Sequence, residues 1–344
     1  AEHREMLDQV LDLFKINPAY DLNIMKPEQS LTEITVGVLS GIEEIIGEEK
    51  PDLVLVHGDT STTFASSLAA FYHKIPVGHV EAGLRTYSKY SPYPEEMNRK
   101  LTGCLADLHF APTQTAKKAL LKEGVPAEQV FVTGNTVIDA LLQTVDKGYK
   151  FRDATLKQLD FEDRKIILLT AHRRENIGVR MEHIFQAVKV IVELHHDTEV
   201  VVPVHLNPAV WERAQKVFGG SERIQMVPPL AYEEFVNLMD RCYLVLTDSG
   251  GLQEEAPALG KPVLVLRDTT ERPEAVAAGT VKLVGTDREK IVAETTALLK
   301  DPDAYQRMST ATNPYGDGKA AERICQAILY HFGLRPTRPE EYSG

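Results

Sequence analysis

Three separate segments of this chain carry groups that suit an anion. Asp248-Ser249-Gly250-Gly251 runs directly into Gln253, Glu254 and Glu255. Two glycines let a backbone approach a ligand closely. The free N–H groups and partial positive charge at the start of the following helix suit a phosphate, and the Ser249 hydroxyl adds a donor. The same residues also read as an ordinary helix cap, since serine and glycine are common there. Thr170-Ala171-His172-Arg173-Arg174-Glu175-Asn176 offers two forked guanidinium groups and a switchable imidazole, a set that suits a diphosphate; alone it also reads as a solvated basic loop. Asp268-Thr269-Thr270-Glu271-Arg272 supplies a further arginine. The convergence of the three segments carries the phosphate reading, not any one of them. An Asp-Ser-Gly-Gly string also occurs around serine protease nucleophiles, but here it ends an α/β strand and no G-x-S-x-G elbow is present.

A second set of residues is acidic. Asp59 lies in His57-Gly58-Asp59-Thr60, Glu81 in His79-Val80-Glu81, and Glu95 in a loop reading Pro94-Glu95-Glu96-Met97-Asn98-Arg99. Carboxylates at strand ends in one cleft suit acid–base work, because burial and like-charge neighbours raise a carboxyl pKa toward neutrality. The alternative is that surface loops are simply acidic in a chain of net charge −12. Asp59 and Glu81 directly follow apolar strand-like runs, which keeps the functional reading open. Lone histidines such as His73, His109 and His183 read as structural. Other chemistries lack their motifs. There is no G-x-x-x-x-G-K-[ST] loop, no H-E-x-x-H and no G-x-G-x-x-G, and His79-x-Glu81 is not followed by the P-C-x-x-C of a zinc deaminase.

The elements that hold these segments alternate between strand and helix. Apolar spacing predicts helices over 3–16 and 29–48, and a buried strand over 52–57 that turns at Gly58-Asp59-Thr60 into a helix over 61–72. Strands over 76–80, 108–111 and 129–133 continue the series. A second series runs through strands 165–170, 199–205, 223–227, 243–247 and 262–266, with helices 181–194, 208–217, 232–239 and 287–299 between or after them. Such alternation means parallel sheets with helices on both faces. The charged, poorly patterned stretch 145–164 separates the two series. Leu53–Asp59 with Lys74 and Arg85 resembles Leu244–Ser249 with Lys261 and Arg272. Either any two βαβ units look alike, or two Rossmann-like domains face each other with ligands at the carboxyl ends of both sheets.

Length and composition fit that organisation. The 344 residues suggest two domains, and 43% hydrophobic with 26% charged residues is ordinary for a globular chain. The acidic balance argues against a nucleic-acid partner, although a few arginines can still line an anion site. Cys104, Cys242 and Cys325 lie too far apart for a disulfide framework or a zinc cluster, which points to a reducing cytosol. No apolar run approaches the ~18 residues that cross a bilayer.

Longer motifs identify a family. They include Val56-His57-Gly58-Asp59-Thr60, Gly78-His79-Val80-Glu81-Ala82-Gly83-Leu84-Arg85, Ser91-Pro92-Tyr93-Pro94-Glu95-Glu96-Met97-Asn98-Arg99 and Thr133-Gly134-Asn135-Thr136-Val137-Ile138-Asp139. Others are Thr170–Asn176, Pro203-Val204-His205-Leu206-Asn207-Pro208, Leu246–Pro257, Arg267–Glu274 and Asn313-Pro314-Tyr315-Gly316-Asp317-Gly318. From its first residues to about residue 330 the chain resembles the bacterial non-hydrolysing UDP-N-acetylglucosamine 2-epimerases.

That resemblance implies a glycosyltransferase-B-like α/β fold, with two Rossmann-like domains facing a cleft. It places residues 1–134 with 320–344 in an N-terminal domain and 135–319 in a C-terminal, UDP-binding domain, the last helix crossing back to the first. It implies interconversion of UDP-GlcNAc and UDP-ManNAc without metal or nicotinamide, by elimination of UDP to a 2-acetamidoglucal and its re-addition. Asp59, Glu81 and Glu95 would exchange the C2 proton. His172, Ser249, Gly250, Gly251 and Arg272 would hold the departing diphosphate, with Arg173 and Arg174 beside them. Glu255 would grip the ribose and Phe235 would contact the uracil. A cytoplasmic homodimer, with no membrane and no nucleic-acid partner, supplying cell-envelope polysaccharide is the family-level expectation. Two departures matter. The family opens with a strand and a Gly-Thr-Arg-Pro-Glu loop, expected here upstream of Ala1. Some members bind a second UDP-GlcNAc as activator; His205 is the candidate contact, but the segment Glu2–Glu5 has Glu where the motif has Gln.

Overall fold

The computed structural model describes residues 4–204 and 208–344. The chain divides into two compact units, 1–139 with 315–344 and 140–314.

The first unit begins with helices α1 (Arg4–Leu13) and α2 (Leu31–Glu49). A capping box starts α2: the Ser30 hydroxyl accepts from the Glu33 N–H, and the Glu33 carboxylate accepts from the Ser30 N–H at 2.8 Å. There follow β1 (Val54–His57), α3 (Ser61–Tyr72), β2 (Val77–Val80), α4 (Glu95–Leu105), β3 (Leu108–Ala111), α5 (Gln114–Lys122) and β4 (Val130–Val132). All four strands are parallel, in the order β1-β2-β3-β4. Their carboxyl ends therefore share one edge, and β1, β2 and β4 deliver Asp59, Glu81 and Asn135 to it. Gly78 lets β1 and β2 pack closely, since a Cβ there would lie 2.6 Å from a Leu55 methyl.

Helix α6 (Thr136–Thr144) leads into the second unit. Six parallel strands lie there in the order β10-β9-β8-β5-β6-β7: β5 (Lys165–Thr170), β6 (Thr198–Pro203), β7 (Ile224–Val227), β8 (Leu244–Thr247), β9 (Val263–Val265) and β10 (Val281–Leu283). The helices are α7 (Val179–Leu194), α8 (Pro208–Phe218), α9 (Tyr232–Arg241), α10 (Leu252–Ala258), α11 (Pro273–Ala278), α12 (Arg288–Lys300) and α13 (Pro302–Ser309). The core is built from Ile167, Leu169, Leu244, Leu246 and Leu264 of the central strands against Ile184, Phe185, Val188 and Ile191 of α7. From β5 the chain steps outward to β6 and β7, then returns to β8 on the other side of β5. Where a parallel sheet reverses its order, the loops at the carboxyl ends diverge and leave a crevice. The loops after β5 and β8 are the histidine–arginine segment and the glycine turn.

The α/β class with two parallel-sheet units is the one expected from sequence, but three details differ. Residues 145–164 are not a spacer. The Asp146 N–H donates to Asn237 Oδ1 at 2.8 Å, the Arg152 N–H donates to Glu234 Oε1 at 2.6 Å, and Phe151 and Leu156 are buried, all within the second unit. Charged residues in this stretch bind α9 through backbone and ion-pair contacts, so it has no apolar period to read. The unit boundaries fall at 139/140 and 314/315, five residues from those that the family resemblance implies. The Asn135 N–H donates to the Tyr315 carbonyl at 2.6 Å, and the Asp139 carboxylate accepts from the N–H groups of Ala320 and Ala321 at the start of α14 (Ala320–His331). Both passages are thereby fastened to the first unit, where Ile324 and Ala327 pack with Phe110 and Phe131. Finally, Glu95 is not in a loop but is the first residue of α4.

Candidate functional site

At the carboxyl edge of the first sheet, the turn after β1 is pinned from below. His79 is fully buried, and its Nε2 donates to the Gly58 carbonyl at 2.7 Å. Burial pushes His79 down to about 3, so the ring is neutral at ordinary pH, and a carbonyl partner requires the proton on Nε2. Its neighbour His109, likewise lowered by burial to about 4, sits beside it in the register of β2 and β3. The Thr63 hydroxyl donates to the His57 carbonyl at 2.6 Å, and the Thr60 hydroxyl caps α3. Asp59 is held by the buried guanidinium of Arg99.

Glu81 directly follows β2 in a left-handed conformation, with φ 62°. Its Oε1 accepts from Asn135 Nδ2 at 3.3 Å, and its Oε2 lies 3.9 Å from His57 Nε2. A Cβ on Gly58 would come within 3.3 Å of Glu81 Oε2, and Gly58 itself has φ 73°. The glycine thus serves both the turn and the close approach of the Glu81 carboxylate to the Gly58–Asp59 turn. Glu95 begins α4, and its Oε2 is buried with no hydrogen-bond partner. The next residue, Glu96, spends its carboxylate on the backbone N–H groups of Thr86 and Tyr87, both at 3.0 Å. Arg85, which the sequence comparison aligned with Arg272, is engaged elsewhere, in a two-pronged pair with Glu123 at 3.0 and 2.8 Å. That pair holds the Glu123 carboxyl below its usual range.

In the second unit, the loops after β5, β8 and β9 form one network. Fully buried Asp248 accepts from the N–H groups of His172 and Arg173 and from Asn176 Nδ2. Asn176 also donates to the Leu266 carbonyl at 3.2 Å. Arg173 pairs with Glu271 at 2.8 Å, Glu271 with Arg267 at 2.6 Å, and Arg267 with Glu175 at 3.0 Å. Burial pushes Glu271 up, but hydrogen bonds and the two guanidinium groups outweigh it and hold the carboxyl below its usual range. Gly250 leaves room for the Glu271 carboxylate, whose Oε1 would lie 2.6 Å from a Cβ there, whereas a Cβ on Gly251 would meet nothing within 4 Å. The Ser249 carbonyl accepts from Gln253 Nε2 at 3.0 Å, which fixes the turn to the first residues of α10. Arg272 is paired with the buried carboxylate of Glu254. Glu255 is raised to about 7, first by burial and then by the neighbouring charge of Glu254. Tyr232 is raised by burial and by Glu255, so the start of α9 lies near that carboxylate. Phe235 sits one turn further along α9 and is half-buried.

Ser249, Gly250, Arg173, His172 and Arg272 are therefore gathered on adjacent loops of one sheet, and Asp59 and Glu81 on adjacent loops of the other. The Arg174 side chain and His205 lie outside the described residues. The sequence reading missed Asp248, Glu254 and Glu271, which position the basic groups, and Asn135 and Arg99, which hold the carboxylates. Arg99 was visible only as the fourth residue after Glu95, the spacing that stacks side chains on a helix face. Among the described residues no three or more His, Cys, Asp or Glu side chains group as a metal site, and no helix is long and apolar enough to cross a membrane.

Comparison with known proteins gives a consistent result. The family model described as UDP-N-acetylglucosamine 2-epimerase matches residues 1–329. The UDP-N-acetylglucosamine 2-epimerase of Bacillus subtilis is 59% identical over 344 residues, covering 100% of this chain and 90% of that protein. That of Escherichia coli K12 is 58% identical over 333 residues, covering 95% and 89%. The crystal structure of UDP-GlcNAc 2-epimerase from Neisseria meningitidis bound to UDP-GlcNAc superposes with a TM-score of 0.82 at 51% identity, covering 96% of this chain and 90% of that one.

Proposed function

This chain belongs to the UDP-N-acetylglucosamine 2-epimerase family, and we propose that it inverts C2 of the sugar in UDP-GlcNAc to give UDP-ManNAc. The chemistry divides into two tasks. The C2 proton of a sugar is not acidic. Breaking the C1–O bond releases UDP, makes C1 cation-like and acidifies C2–H; a carboxylate then takes the proton and 2-acetamidoglucal remains. Reprotonation of C2 from the opposite face and return of the UDP oxygen to C1 complete the inversion. Proton exchange on two faces requires more than one acid–base group. Asp59, Glu81 and Glu95 supply them.

The departing diphosphate needs fixed donors. The second unit offers the Ser249–Gly251 turn, His172, Arg173 and Arg272, with Glu255 for the ribose hydroxyls and Phe235 for the uracil. The observation that supports this reading best is the approach of the Glu81 carboxylate to the Gly58–Asp59 turn, which gathers two carboxylates at one strand edge. Anomeric proton NMR of the chain mixed with UDP-GlcNAc tests it. A UDP-ManNAc signal supports the epimerase, free ManNAc with UDP would mean a hydrolysing relative, and an unchanged spectrum a binding protein. The same reading carries a cytoplasmic homodimer that supplies ManNAc units for cell-envelope polysaccharide.

A further inference from the structure

Arg99 sits on α4, the helix that Glu95 begins, and its guanidinium meets three segments at once. Nη2 is paired with the Asp59 carboxylate in the turn after β1. Nη1 donates to the Leu84 carbonyl at 3.1 Å, in the loop that Glu81 opens. The same Nη1 lies 3.6 Å from Glu96 Oε2, whose carboxylate binds the backbone of Thr86 and Tyr87. The Arg99 and Glu96 side chains are only 8% and 5% exposed, so little water competes with these contacts. Nε is buried and makes no hydrogen bond. The two terminal nitrogens therefore make every polar contact of this side chain.

From this arrangement we infer that Arg99 is the positioning residue of the reaction: one planar fork fixes Asp59, the Glu81 loop and the Glu95 helix relative to one another. It touches no substrate atom and acts through the carboxylates. This inference rests on the reading of Asp59, Glu81 and Glu95 as the proton-exchanging groups. A displacement of about 1 Å in such a group is enough to lower turnover ~10²-fold. A lysine would retain the charge but loses the planar fork that holds Asp59 and the Leu84 carbonyl on two separate nitrogens.

The test compares wild type, Arg99→Lys and Arg99→Ala in the full chain, with Asp59→Asn and Asp59→Asn/Arg99→Ala as controls. Wild type must first convert UDP-GlcNAc to UDP-ManNAc; failure there overturns the epimerase reading and the inference with it. Given a working wild type, Arg99→Lys should stay folded, bind UDP as wild type does, and lose about 10²-fold in kcat with little change in KM. Guanidinium ion at low millimolar concentration should restore Arg99→Ala at least ~10-fold, because it replaces both terminal nitrogens, and should not restore the Asp59→Asn/Arg99→Ala variant. A kcat for Arg99→Lys within threefold of wild type, or equal loss of folding and UDP binding in both variants without guanidinium rescue, would overturn the inference and leave the epimerase reading standing.

Discussion

Asp248 Oδ2 accepts the backbone N–H of Arg173 at 2.9 Å. Together with the His172 N–H and the Asn176 amide on the same carboxylate, this contact joins the two loops that the reversal of strand order brings together, and makes the glycine turn and the basic loop a single structure. Asp248 is fully buried without an arginine or lysine partner among its described contacts, and backbone and amide N–H donors satisfy it instead. Its role is to shape the loop, leaving the arginine side chains available to face outward or to pair with acids.

Asp248→Ala should accordingly remove more than an acceptor. It leaves the N–H groups of His172 and Arg173 and the Asn176 amide without their partner, and hydrogen bonds to a charged group are each worth about 1.5–3 kcal/mol. A loss of about 3–5 kcal/mol is expected in urea unfolding, together with weaker UDP binding. Asp248→Asn, which retains one acceptor oxygen, should lose less than half as much. Equal stability of Asp248→Ala and wild type would show that the loop holds its shape without this residue.

The two glycines of the turn should respond differently. Gly250→Ala drives Glu271 from its place and with it the Arg173–Glu271 pair, whereas Gly251→Ala enters open space on helical backbone. Calorimetric titration with UDP should show roughly tenfold weaker binding for Gly250→Ala and an unchanged constant for Gly251→Ala. The reverse order would contradict the packing described for Glu271.

A buried carboxyl and two buried imidazoles give opposite pH dependences. Glu255 is raised from 4.5 to about 7 by burial. Between those values the folded chain keeps a proton that the unfolded chain has released, so stability is full below 4.5 and falls as pH rises toward 7. Relative to Glu255→Gln, wild type should lose up to roughly 3 kcal/mol over that window, at about 1.4 kcal/mol per pH unit. His79 and His109 are lowered by burial to about 3 and about 4. Their contribution is full above 6.5 and is lost as pH falls, because the unfolded chain takes up the protons. His79→Gln, whose amide can still donate to the Gly58 carbonyl, should soften the acid-induced loss. Denaturant titrations from pH 4 to 8 read both; the same slope for wild type and each variant would contradict the assignments.

Much of this architecture is legible in the sequence because strands buried on both faces leave long apolar runs. Lys165–Thr170 and Leu108–Ala111 have the expected ends, as does helix Ser61–Tyr72. What was not legible depends on polar residues acting at a distance. Helix α4 lacks an apolar stripe because the residues it buries include Glu96, Asn98, Arg99 and Thr102, so it reads as a loop. The strand order of the second sheet is set by which strand returns beside β5, and no local pattern records that. In the same way Arg272 is readable as an anion donor, but its pairing with Glu254 joins residues 18 positions apart on different elements.

That pairing changes what Arg272→Ala should do. Besides weakening UDP binding and slowing turnover together, it takes the guanidinium partner from the buried Glu254 carboxylate, and breaking such a pair costs about 3–5 kcal/mol. Both losses should appear, the second as a lower melting temperature. Arg272→Ala/Glu254→Gln should recover most of the stability and little of the UDP affinity. If the double variant regains neither, the pair is not what holds Glu254.

Asp59→Asn and Glu81→Gln preserve shape while removing the titratable group. Each should lower kcat by roughly 10²–10⁴-fold, with UDP affinity nearly unchanged, because the proposed nucleotide contacts lie in the second unit. Steady-state kinetics beside calorimetry measure this. UDP affinity falling in step with kcat would instead place these carboxylates on the nucleotide.

The most direct test of the whole account is turnover in deuterium oxide. If UDP leaves, C2 loses its proton to a carboxylate and the glycal is reprotonated from the opposite face, then the new C2 hydrogen comes from a group that exchanges with solvent. Proton NMR should then show UDP-ManNAc carrying deuterium at C2, formed at a rate that Asp59→Asn and Glu81→Gln lower by at least ~10²-fold. UDP-ManNAc that stays protiated at C2, with both variants turning over as wild type does, would contradict the elimination and the residues assigned to it.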